Sequence, residues 1–144
     1  MKRSNRMNTI ISLTANQKET AAKQLAHSQE LLEQSQTQLA DMKRVREGYS
    51  VQLYSKTSDP RSVSEMQGIR IFIQQLDVAI QQLEQQLLER TNASQMHQDQ
   101  WMKLRNKTQA LSDIKVRYKK DEQKTVDQRE QFESDELSQR KGNK

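Results

Sequence analysis

The stretch Ile69-Arg-Ile-Phe-Ile-Gln-Gln-Leu-Asp-Val-Ala-Ile-Gln-Gln-Leu83 decides the fold. Ile69, Leu76 and Leu83 recur every seven residues, and Ile73, Ile80 and Leu87 run four behind them. Alternating steps of four and three hold one apolar seam on a helix, with polar residues between. The alternation of a strand is absent. Further on, the seam crosses a polar gap at Arg90, Ser94 and His97. It resumes at Trp101, Leu104 and Leu111, and Tyr118 keeps the phase.

Upstream the same spacing appears at Leu25, Leu32, Leu39 and Leu53, with Arg46 interrupting. Met42 and Tyr49 complete the seam, and Ser28 and Ser35 take the same position further out. One break separates the two patterns: Lys56-Thr-Ser-Asp-Pro-Arg-Ser-Val-Ser64, around the only proline, Pro60. Proline in a helix interior costs about 3 kcal/mol, and the residue before it avoids the helical region. A helix therefore ends before Asp59, and Ser62 with Glu65, or Ser64 with Gln67, has capping-box spacing for a restart.

The spacing predicts an all-α fold, two long helices forming an antiparallel coiled-coil hairpin. The expected parts are a basic end over 1–8, helix one over 9–56, a loop over 57–62, helix two over 63–131 and a disordered charged tail over 132–144. At 1.5 Å per residue the helices span roughly 70 Å and 100 Å. Folding about Pro60 sets Leu53 against Gly68, Leu39 near Leu83 and Leu25 near Met96. Helix two then outruns its partner beyond about residue 120, and both basic ends meet at one tip of a thin rod. Gly48 and Gly68 interrupt the helices near the loop, as tolerated background or as points of close helix approach or bending.

Composition narrows the function. The 144 residues are 32% hydrophobic and 30% charged, leaner in apolar material than the thick core of an α/β enzyme requires. Three glycines and one proline are too few for an all-β fold. Cysteine is absent, which removes disulfides, thiolate metal sites and Cys nucleophiles. Three scattered glycines cannot build a phosphate loop, and no HExxH or GxSxG motif occurs. His27 and His97 fall roughly opposite each other, but only His97 is in seam phase, and two imidazoles without a third ligand make no zinc site. No catalysis, cofactor or metal is expected. No apolar run reaches transmembrane length, and Met1 to Leu13 lacks the apolar core of a secretory signal, so a cytoplasmic chain without direct membrane insertion is expected.

Charge is uneven: +4 over residues 1–18, −3 over 19–102 and +4 over 103–144. The bases alternate with acids as on a solvated helix face, and aromatics are 4%, so nucleic acid is not the expected partner. The apolar stripe is too narrow for an interfacial membrane helix. The block from Ile69 to Ile80 nevertheless holds more apolar residues than one seam buries. Phe72 and Ala79 keep their own seven-residue spacing and share a strip with Leu76. That strip is either a wider core, a self-association face or a docking site.

Glu47-Gly-Tyr49, Leu53, the short loop and Phe72-Ile-Gln-Gln-Leu-Asp-Val-Ala-Ile-Gln-Gln together resemble the flagellar export protein FliJ family, as does Trp101 followed by Lys103, Arg105 and Lys107. The resemblance spans about Ala21 to Tyr118. It implies a hairpin similar to the stalk subunit of rotary ATP synthases, a non-enzymatic part of the flagellar type III export apparatus at the cytoplasmic face of the inner membrane. The implied partners are the hexameric export ATPase, the export gate protein FlhA and export chaperones, which the family returns for reuse. It assigns gate docking to Phe72, Leu76, Ala79 and Leu83, beside Tyr49; relatives often carry His where this chain has Leu83. The basic tip, with Lys2, Arg3, Arg6, Lys115, Arg117, Lys119 and Lys120, would face the ATPase pore. Competing readings are the analogous stalk of a virulence secretion system, a generic or homodimeric coiled-coil tether, and a nucleic-acid-binding rod.

Overall fold

The computed structural model describes residues 2–55 and 63–142. Two helices account for it, α1 (Arg3–Ser55) and α2 (Val63–Gly142), and no strand occurs among the described residues. The predicted turn around Pro60 lies outside the described residues. The helices pack against each other in two units, one formed by residues 22–99 and the other by 1–21 with 100–144.

In the unit of residues 22–99, Leu39 and Leu76 are buried and Leu25, Leu32, Leu53, Ile69, Ile73, Ile80, Leu83 and Leu87 are half-buried. The deepest position is small and polar, the fully buried Ser35; Ser28 and Ser94 are buried as far as Leu76 and Leu39. The pairing is antiparallel, since the partner number falls as the first rises: Ser35 meets Arg90, Lys43 meets Glu84, Arg46 meets Asp77 and Tyr49 meets Phe72. The Ser35 and Lys43 contacts bracket Leu39 and set it level with Leu87, about one turn from the Leu83 expected from the sequence. In the polar gap, the Arg90 guanidinium donates to the Leu31 carbonyl at 3.0 Å and to the Ser35 hydroxyl. A charge in the seam is thus held by hydrogen bonds across it.

In the other unit the seam on α1 is Ser4, Met7, Thr14 and Ala21, all buried. Facing elements of α2, Trp101, Leu104, Thr108, Leu111, Lys115 and Tyr118, are half-buried. Small side chains on one helix let larger ones on the other fill the gap. Two threonine hydroxyls are satisfied within their own helix: buried Thr14 donates to the Ile10 carbonyl at 3.0 Å and half-buried Thr108 to the Leu104 carbonyl at 2.7 Å.

Both helices outrun their predicted bounds. α1 starts at Arg3, not near Thr9. The Lys2 carbonyl accepts from the Asn5 and Arg6 amides at 3.1 and 3.2 Å, which closes the first turn. α2 continues past Gln131 to Gly142, through most of the segment expected to be disordered. No glycine or proline occurs from residue 69 to residue 141, and amide side chains brace successive turns: Gln123 donates to Asp127 at 2.9 Å and Gln131 to Asp135 at 3.1 Å. Glu65 in its first turn and Arg140 and Lys141 in its last complement the helix dipole. Every residue from Gln123 to Gly142 is exposed, a helix polar nearly all round that rests on such local pairs.

Candidate functional site

Two surfaces carry the residues singled out by sequence. The first lies in the unit of residues 22–99. Tyr49 on α1 and Phe72 on α2 stack edge to face, ring centroids 4.8 Å apart at 68°. The pair is favourable beyond its buried area. Phe72 keeps 39% of its surface exposed, while Leu76, one turn on, is buried at 7%. Leu76 therefore supports the strip from beneath, as part of the hairpin seam, and Phe72 presents it to solvent. Ala79 and Leu83 are half-buried and border a shallow groove with Met42, Gln82 and Glu89. A second groove runs beside the aromatic pair, lined by Gln52, Glu65, Gly68 and Ile69.

Other exposed apolar residues in this unit lie off the strip. Val45, Ile71 and Val78 are each about half exposed. Ile71 and Val78 sit seven residues apart and out of seam phase, the signal that would have found them. Around the strip, charge is paired across the helices. Arg46 forks onto Asp77, with Nε on one carboxylate oxygen and an Nη on the other at 3.4 Å, and Lys43 lies 3.5 Å from Glu84. The hydrogen bond and charge of Asp77 push the Arg46 pKa above its ordinary value. The interrupting Arg46 of the sequence is thus a partnered charge beside the apolar strip.

The second surface is the basic end, within the unit of residues 1–21 and 100–144. Lys2, Arg3, Arg6, Arg117, Lys119 and Lys120 are exposed and Lys115 is half-buried in the seam. The Arg3 guanidinium lies over the Tyr118 ring, 5.7 Å from its centroid, and Arg105 covers Trp101 at 5.6 Å. One acid works among these bases. The Glu122 carboxylate accepts from the Ser4 amide at 3.2 Å and from the Ser4 hydroxyl at 2.7 Å. It caps the first turn of α1 from the other helix, where α1 has no acid of its own. The Ser4 hydroxyl and amide, followed by Lys2 and Lys119, hold its pKa below the ordinary glutamate value. No local sequence pattern marks this clasp, because its partners are 118 residues apart.

His27 is exposed and His97 half-buried, its Nδ1 enclosed without a protein hydrogen-bond partner. No group of three or more His, Asp or Glu side chains is arranged to hold a metal among the described residues, and no described helix is long and apolar enough to cross a membrane. These surfaces offer shallow apolar and charged contacts, the chemistry of protein docking.

Searches of curated proteins and of solved structures returned no match. The family model described as "Flagellar FliJ protein" matches residues 2–144, beyond both limits of the segment that carries the resemblance, and the chain belongs to the FliJ family.

Proposed function

We propose that this component of flagellar protein export works as a docking element that joins the export ATPase to the export gate. Its basic end enters the pore of the ATPase hexamer as a central stalk, and the strip around Tyr49 and Phe72 contacts the gate protein FlhA. Empty export chaperones are further cargo. It works by binding and not by catalysis, in the cytoplasm against the membrane face of the flagellar base. The observation that carries the reading is the pairing, in one FliJ-family chain, of a solvent-facing aromatic pair with a separate basic end. Exposed apolar surface flanked by paired charges suits a protein partner, and concentrated positive charge speeds encounter with an acidic one.

The test is the steady-state rate of the cognate ATPase with and without the chain, alongside co-sedimentation. Stoichiometric binding with a raised rate is the expected result; a folded chain that neither binds nor changes the rate overturns the stalk reading. For the gate, Phe72→Ala is expected to abolish FlhA binding with helicity unchanged. Lost helicity would make Phe72 core instead.

A further inference from the structure

Within the unit of residues 1–21 and 100–144, α2 is divided by charge. From Lys103 to Lys120 it carries seven bases and one acid, Asp113; from Asp127 to Glu136 it carries five acids and one base, Arg129. The acidic half is exposed on every side. A second row of apolar residues runs through both halves, off the hairpin seam. Met102, Val116 and Leu137 stand at multiples of seven, and Val126 lies beside that line; they are 43%, 50%, 58% and 37% exposed. Packing against α1 leaves this face uncovered.

We propose that this face binds a second copy of the chain, with the two α2 helices antiparallel about the step between Lys124 and Thr125. In antiparallel pairs, positions on the same flank meet. This register sets Lys119 against Glu130 and Lys120 against Asp127 of the second copy, and Gln123 against its Val126. Two-fold symmetry repeats each pair. Lys115 falls level with Glu136 on the flank nearer the hairpin seam. No like charges face one another. Sliding one heptad toward the N-terminus would put Lys120 on Lys120 and Asp113 on Asp127, so charge selects the register. Val116 meets Glu133, Leu137 meets Ser112 and Val126 meets Gln123 of the second copy, and Met102 lies outside the overlap, so no apolar pair forms and the pairing depends on charge and therefore on salt. Lys115, Lys119 and Lys120 are covered in the pair, so self-pairing and docking of the basic end elsewhere exclude each other.

Sedimentation equilibrium of the full chain, alone, reads self-pairing directly at about 10 to 200 µM, in about 50 mM and about 500 mM salt. A dimer at low salt that dissociates at high salt is expected. The chain with Asp127→Lys and Glu130→Lys, and the chain with Lys119→Glu and Lys120→Asp, should each pair at least about tenfold more weakly than the parent. Mixed together they should pair with each other, because every contact is again opposite in sign. Circular dichroism checks that both remain helical. Phe72→Ala should leave the dimer intact. A parent chain monomeric throughout at low salt overturns the proposal; so does a dimer that survives in both reversed chains, or one that Phe72→Ala removes.

Discussion

The two units of the chain use the same heptad spacing and fill it differently. Around Leu39 and Leu76, branched aliphatic residues close the seam, and ion pairs such as Arg46 with Asp77 flank it. In the other unit the α1 side of the seam is Ser4, Met7, Thr14 and Ala21, and the end is fastened by one carboxylate and one cation–ring contact. Apolar burial contributes about 25 cal/mol per Å2, and in the second unit much of it comes from the α2 side, through Trp101, Leu104, Leu111 and Tyr118. A helix needs only a narrow stripe to pair, and in the second unit small or polar residues fill much of that stripe on α1.

The largest expected effect follows from this contrast. Leu76→Ala removes a buried side chain from a seam with few others to share the load. It should cost about 2 to 4 kcal/mol and lower the thermal midpoint by about 10 °C, read by circular dichroism. Ala21, buried in the other unit, already has the small side chain, so Ala21→Gly tests the weaker seam: about 1 kcal/mol, mostly from helix propensity. Equal losses at the two sites would remove the distinction between the units.

Glycine sharpens the comparison in the opposite direction. A Cβ built on Gly48 or Gly68 meets nothing within 4 Å, so neither residue serves close helix approach. Gly48→Ala and Gly68→Ala should each stabilise the chain by about 0.5 to 1 kcal/mol, seen as a raised urea midpoint with an unchanged slope. Gly68 also lines the groove beside Tyr49 and Phe72. If a partner enters that groove, Gly68→Ala stabilises the chain yet weakens the partner's binding, whereas Gly48→Ala only stabilises.

What the sequence discloses follows from where hydropathy changes along it. The steps from Ile69 to Leu87 specify a helix and its inward face, and the cluster around Pro60 specifies that there are two helices. Ser28 and Ser35 are legible as seam because they keep phase with Met42 and Tyr49, but Thr14 and Ala21 are not, since they are small or polar and their burial comes from the partner helix and not from their own hydropathy. Phe72 is legible as surplus to the seam. Leu76 belongs to seam and strip together by spacing alone, and only packing assigns it to the interior. α2 runs beyond the predicted bound near Gln131 although the seam stops at Glu122, because helix propensity and Gln–Asp bracing continue past it.

The smallest effect is confined to one turn and tests the clasp. Glu122 has a pKa held below that of the unfolded chain, chiefly by Ser4, with Lys2 and Lys119 adding to it. Its contribution is therefore complete above about pH 4.3, the ordinary glutamate value, and disappears as pH falls through the lower folded value. Acid should release the start of α1 while Leu39 and Leu76 still hold the other unit. Hydrogen exchange reads this locally: the Ser4 amide, which donates to Glu122, should lose protection in Glu122→Gln at neutral pH and in the parent chain only in acid. The thermal midpoint should stay put in Glu122→Gln at neutral pH, since the affected turn lies at a helix end whose fraying exposes little apolar surface. A midpoint that falls with Glu122→Gln as far as with Leu76→Ala would mean that the charged clasp, and not the aliphatic seam, governs cooperative unfolding.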